Sequence, residues 1–158
     1  MDARWTSATN DGMSALDRTK LCDGLVDGAR SSFRSPQLLG EICERLIAAG
    51  LPLWRTGIFV RTLHPDIFGY RFIWKPGSDV EVGSADFTFV DSPGFQNSPL
   101  FIVFQEGVEV RARFDDPESS RFPIIEDLRA EGATDYIALP LIFTDGSARA
   151  SSWTPKRP

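Results

Sequence analysis

The sequence predicts an α+β domain, an antiparallel sheet with helices packed on it. Three observations carry that expectation. Residues 51–74, LPLWRTGIFVRTLHPDIFGYRFIW, hold two aromatic-rich apolar runs around a His-Pro-Asp break, the pattern of a central β-hairpin. Residues 35–50 just before it have the apolar spacing of a helix with one buried face. Residues 108–114 alternate strictly between apolar and charged, as a strand with one wet face does. Helices on an antiparallel sheet make an α+β arrangement.

Composition narrows the field. A chain of 158 residues fits one domain. At that length folding buries roughly 68–70% of the surface of the unfolded chain, so no disulfide or metal staple is needed. Twelve Phe and four Trp supply large apolar area. A net charge of −5 and a pI near 4.9 argue against nucleic acid or an anionic membrane as the main partner. Cys22 and Cys43 are far apart in sequence, and Cys43 falls on the apolar helix face as a small hydrophobe. A reducing, cytoplasmic setting is the expectation. The polar start, MDARWTSATNDG, lacks the pattern of a signal peptide, and no apolar run approaches the length of a membrane helix.

In chain order, residues 1–12 read as a polar tail and residues 14–29 as a helix weakened by Gly24 and Gly28. That helix is a candidate dimer contact. In residues 35–50, Ser35 is the expected cap, Pro36 the first helical residue and Gly50 the stop, with Leu39, Ile42, Cys43, Leu46 and Ala49 inward. Strands are expected at residues 54–63 and 68–74, then short pieces at 79–82 and 87–90. Gly83, Ser84, Pro93 and Gly94 give loop composition, expected to form a mobile cover over one sheet face. Residues 98–107 repeat the helix grammar, with Ser98 as cap, Pro99 first and Gly107 last. A short helix is expected at 122–132, with Ile124, Ile125 and Leu128 inward. A strand follows at 134–143, with Ile137, Leu139, Leu141 and Phe143 on one face and Pro140 marking an edge or bulge. Asp145-Gly146 reads as a hairpin turn into a last strand at 147–154. This order suits a GAF/PAS-like sensor fold better than a doubly wound sheet. The division is then a tail and possible leading helix at residues 1–30 and a sensor domain at 31–158 without a closing helix.

Four segments carry a resemblance: LWRTGIFVRTLHP (53–65), RFIW (71–74), ATDYIALPLIFTDG (133–146) and ASSWT (150–154). They resemble the N-terminal, GAF-like region of bacterial class III adenylate/guanylate cyclases, and the likeness runs from about residue 36 to residue 153. The resemblance implies a regulatory input domain that precedes a cyclase catalytic domain. The paired metal-binding aspartates and transition-state residues of a cyclase have no counterparts here. What it implies is therefore a non-catalytic chain with a downstream catalytic domain as partner; a homodimer through the helices expected at 14–29 and 35–50 is the second candidate assembly. A stand-alone dimerisation or protein-interaction module is the alternative function.

Chemical motifs are sparse. No glycine cluster forms GxGxxG or a P-loop, and no serine sits in GxSxG. One histidine and two distant cysteines do not make zinc-ligand pairs, so no cofactor is expected. Asp115, Asp116 and Glu118 read as a solvated acidic loop. His64, the one histidine, is a turn residue by default, a pocket-lip residue by alternative, and the only candidate for a histidine base. Arg55, Arg61 and Arg71 interrupt apolar strands. Alternation is expected to place them away from the main core, as a wet face or, if covered, as an anion site. Trp54, Trp74, Trp153 and Tyr136 are core aromatics or the walls of a small-molecule pocket. The candidate ligand-binding set is thus Trp54, Arg61, His64, Trp74, Tyr136 and Trp153.

Overall fold

The computed structural model describes residues 19, 20, 22–24, 26, 35–117, 121–143 and 148–156. By internal contacts the chain divides into two units, Met1–Leu51 and Pro52–Pro158, each taken by itself.

In the first unit, helix α1 spans Ser35–Ala48. It opens at Ser35 itself, one residue ahead of the expected start. Leu39 and Cys43 are buried and Ile42 and Leu46 half-buried, so the apolar spacing marks the face that leaves solvent. The end is a left-handed glycine stop. Gly50 has φ 91°, and the amides of Gly50 and Leu51 turn back to the carbonyls of Ile47 and Leu46 at 2.8 and 3.1 Å. Of the expected helix at 14–29, Thr19, Lys20, Cys22, Asp23, Gly24 and Val26 are helical. Its other positions, like the tail at 1–12, lie outside the described residues.

The second unit is built on a six-stranded antiparallel sheet. Its strands are β1 (Leu53–Arg61), β2 (Gly69–Trp74), β3 (Glu81–Ala85), β4 (Val110–Arg113), β5 (Asp135–Ile142) and β6 (Ala148–Pro155), in the order β3-β2-β1-β6-β5-β4. Hairpin β1–β2 forms around His64-Pro65-Asp66 as expected, pairing Thr56 with Trp74 and Phe59 with Arg71. Strand β6 enters beside β1, pairing Gly57 with Ser152. Asp145-Gly146 lies outside the described residues, but Ile142 opposite Ala148 shows the hairpin that it was expected to close. Pro140 sits opposite Ala150, beyond the last β5 residue that β4 reaches, Ala138. An interior strand is locally an edge there, which is where a proline is tolerated.

Helices cover one sheet face: α2 (Pro93–Gln96), α3 (Pro99–Glu106) and α4 (Pro123–Ala130). Helix α3 has the predicted ends: Ser98 Oγ accepts from the Phe101 amide, Pro99 is first, and Gly107 is left-handed at φ 67°. Beneath the helices Val103, Ile125 and Leu128 pack with Val110, Ala112, Tyr136, Ala138 and Ala150 of the strands. Three alanines on this face let the helices approach closely, and burial there is near complete.

Three expectations need correction, and one face needs completing. Residues 87–90 are not a strand but a 3-10 turn, Phe87–Asp91, because Asp86 caps it and accepts from the amides of Thr88 and Phe89. Gly83 and Ser84 are not loop but the middle of β3. A Cβ at Gly83 would meet Arg71 Nε at 2.6 Å, so the bare backbone makes room for that side chain. In β5 the residues Ile137, Leu139 and Leu141 do share a face, but the deeply buried face is the other one, with Tyr136 and Ala138. Finally, Arg55 and Arg71 share the face of Phe59, Ala150 and Ala138, which is the helix-covered core face and not the opposite one.

The cover segment closes on itself through rings. Phe95, 5% exposed, lies 5.0–6.5 Å from the rings of Phe68, Phe89, Phe101 and Phe104. These edge-on and tilted contacts hold the 3-10 turn and α2 to α3 and to the start of β2.

Candidate functional site

Strand alternation builds the site. Positions 55, 57 and 59 of β1 face the helices, as do 71 and 73 of β2 with Lys75 next in phase, and 81 and 83 of β3. Toward β4 this face is filled by small and apolar side chains. Toward β3 it carries charge, and helix α4 overhangs it by its C-terminal end. A cleft of about 220 Å³ opens between them, lined by Arg55, Arg71, Ile73, Lys75 and Glu81 of the sheet side and by Ile124, Asp127, Leu128 and Glu131 of the α4 side.

Two ion pairs span the lining. Arg71 donates to Glu81 Oε1 at 2.8 Å, and Lys75 Nζ donates to Glu131 Oε2 at 3.0 Å. Lys75 also lies 4.8 Å from the centre of the Trp54 ring, with Lys156 Nζ at 5.6 Å from the same ring. Lys156 Nζ donates to the Glu131 carbonyl at 3.1 Å. The end of α4 is thereby tied to the sheet by two lysines stacked on one indole.

Arg55 stands apart from these pairs. It is half-buried, and no hydrogen bond or ion pair is formed by its guanidinium among the described residues. Burial pulls its pKa below the ordinary arginine value; Tyr136, Glu131 and Glu81 oppose that shift and Arg71 adds to it. Behind it, Thr154 pairs with Arg55 across the strands, and Ser152 follows on the same face. The hydroxyls of both are buried and without a hydrogen-bond partner. Burial raises the Tyr136 phenol to about 12, with Ser152 and Arg55 acting the other way; the Ser152 contact falls short of hydrogen-bond geometry.

The six candidate residues are not brought together. Trp54 sits at a register shift in β1 and Tyr136 is in the core, both on the helix-covered side. Trp74 and Trp153 pair with Thr56 and face the other way; Trp74 is 3% exposed, and Trp153 donates from Nε1 to Ser151 Oγ at 3.0 Å. Arg61 is exposed, with its guanidinium 4.9 Å from the Phe68 ring centre. His64 is exposed and its Nδ1 accepts from the Asp66 amide at 3.1 Å, the turn role. Lys75, Glu81, Asp127 and Glu131 of the cleft were not singled out by the sequence. The available signal was phase: 55, 71 and 75 fall on one side once the hairpin is folded about its His-Pro-Asp break.

Among the described residues no group of three His, Cys, Asp or Glu side chains is placed to hold a metal ion, and no helix is long and apolar enough to cross a membrane.

No family model and no curated protein matches the chain. Solved structures do. A GAF domain of A. aeolicus nlh2, crystallised in an inactive state, superposes with a TM-score of 0.56 at 11% identity, over 90% of this chain and 82% of that one. The fold is GAF-like. A hypothetical protein of S. aureus matches with a TM-score of 0.44 at 13% identity, over 77% of this chain and 92% of that one. An NreA protein of S. aureus, mutated in its nitrate binding site, matches with a TM-score of 0.45 at 13% identity, over 85% and 88%.

Proposed function

We propose that the chain is a non-catalytic sensory input domain that binds a small ligand in the Arg55 cleft and biases an adenylate/guanylate cyclase catalytic domain. The observation that carries the ligand half is the cleft itself, a partly polar hollow between the sheet and α4 in a GAF-like fold, at the charged end of an otherwise filled face. The regulatory half is supported by the sequence resemblance to cyclase input regions and by the lack of catalytic motifs. Binding would act as a population shift: a ligand that bridges sheet and α4 favours the closed arrangement of those elements and passes the bias on.

The ligand half is tested by screening small fragments against the isotope-labelled 158-residue chain by NMR. Amide shifts that cluster at Ile73, Ile124 and Leu128 are expected. A screen whose hits all map elsewhere would remove the cleft from the account. The regulatory half is tested in a longer chain that carries a cyclase domain, where deleting residues 1–158 should change nucleotide cyclisation. Unchanged activity would count against it.

A further inference from the structure

The cleft holds one cation, Arg55, whose guanidinium makes no hydrogen bond or ion pair among the described residues, although Glu131 and Glu81 favour its charge from a distance. Its lining has three cations, Arg55, Arg71 and Lys75, and three acids, Glu81, Asp127 and Glu131. Arg71 is paired with Glu81 and Lys75 with Glu131. Asp127 is exposed and forms no ion pair with Arg55, so the half-buried guanidinium is left without a paired carboxylate. A half-buried arginine stays protonated, and its planar fork of donors stays unused. Holding such a group without a partner is costly, and the cost is recovered when an anion arrives.

Resting on the small-ligand reading above, the geometry points to a receptor for a small monocarboxylate, bound two-pronged by Arg55 with its short carbon tail against Ile73, Ile124 and Leu128. Each part of that description has its reason. The guanidinium fork matches the two oxygens of a carboxylate. A single negative charge matches the one guanidinium that has no ion-pair partner, and adds the least to a lining whose formal charges already sum to zero. A dianion such as sulfate would bring a second charge towards Glu81, Glu131 and Asp127, which the two ion pairs only partly mask. The three apolar side chains offer a wall but little depth. The cleft, at about 220 Å³, lies below the range of roughly 300–1,000 Å³ usual for drug-sized ligands, so the tail is a few carbons long.

Sodium butyrate is the probe, titrated into the full chain and followed by amide shifts and thermal unfolding. Sodium chloride and sodium sulfate at matched ionic strength are the ionic controls, and butyramide is the neutral isostere. Butyrate is expected to saturate at millimolar concentration with shifts at Ile73, Ile124 and Leu128, while sulfate and butyramide leave them in place. Arg55→Gln should abolish those shifts without lowering the melting temperature, since Arg55 holds no other group in place. Arg55→Lys, which keeps the charge and loses the fork, should weaken binding about tenfold or more. The inference is overturned if butyrate does not saturate, if Arg55→Gln binds like the parent, or if sulfate binds as well as butyrate. Butyramide binding as tightly as butyrate overturns the anion but leaves the cleft a small-ligand site. The comparison among butyrate, sulfate and butyramide needs no variant, so a poorly folding substitution does not block it.

Discussion

One sheet face in this protein has two unlike ends. At the β4–β5 end the strands present Val110, Ala112, Tyr136 and Ala138, and Val103, Ile125 and Leu128 descend on them until almost no surface remains. At the β1–β3 end the same face presents Arg55, Arg71 and Lys75, and the C-terminal end of α4 sets Asp127 and the capping Glu131 across an open cleft from them. The backbone register is continuous between them, with Gly57 paired to Ser152 and Ser152 in turn to Ala138. The difference is therefore one of side-chain chemistry and not of topology. Small and apolar residues fix the helices at one end. That anchorage lets the other end keep charge and empty volume that a self-sufficient core would not tolerate.

The comparison is broken most directly by emptying the filled end. Ile125 is fully buried between α4 and the strands. Ile125→Ala is expected to cost about 2–5 kcal/mol in urea unfolding, the sum of lost burial and the cavity left behind. A cost below about 1 kcal/mol would mean that α4 is not anchored there, and the account of the cleft as a supported hollow would fail with it.

Tyr136 tests the boundary between the ends. Burial raises its phenol from 10.0 to about 12. The folded state therefore holds the proton more tightly than the unfolded chain does. That contribution is fully present below pH 10 and is lost as pH rises towards 12. The loss is on the order of 3 kcal/mol, and Tyr136→Phe should remove this part of the alkaline instability. Ultraviolet titration checks it: the Tyr136 phenol should ionise only as the protein unfolds, near pH 12 and not near pH 10. Ionisation of Tyr136 near pH 10 in the folded protein, absent from the titration of Tyr136→Phe, would show that the phenol is hydrated, and that the open end reaches further along the sheet than the packing implies.

Much of this was legible in the sequence, for reasons that differ from element to element. The ends of α3 could be read because Ser98, Pro99 and Gly107 each act through local backbone geometry. Hairpin β1–β2 could be read because a proline and a turn histidine interrupt two β-rich runs. The face assignments could not. In β5 alternation showed that Ile137, Leu139 and Leu141 share a face but not which face is covered, and Ala138 is the residue at 0% exposure, because helix approach rewards small side chains and not large ones. The same effect moved the arginines: a guanidinium in a strand reads as a wet face, and only the fold shows α4 overhanging it. Asp86 hid the 3-10 turn, since a cap counts only once the chain has turned. The cleft acids Asp127 and Glu131 lie more than fifty residues from Lys75 in sequence, and local pattern does not reach that far.

The smallest expected effect on stability is also the most discriminating for the open end. Arg71 and Glu81 pair at 2.8 Å, but their side chains are 56% and 62% exposed. An exposed pair of this kind contributes between about 0 and 1 kcal/mol. Glu81→Gln should therefore unfold in urea almost as the parent does, and the small difference should vanish in high salt. Its effect on the cleft is larger. With Glu81 neutral, Arg71 joins Arg55 as a cation without an ion-pair partner, so the lining carries a net positive charge and a dianion is repelled less. Sulfate, which is expected to leave the parent cleft untouched, should then shift the amides of Ile73 and Leu128. A stability loss above about 2 kcal/mol would instead mean that polar contacts hold the open end together, since exposed pairs do not contribute that much. The contrast between an anchored end and a permissive one would then have to be abandoned.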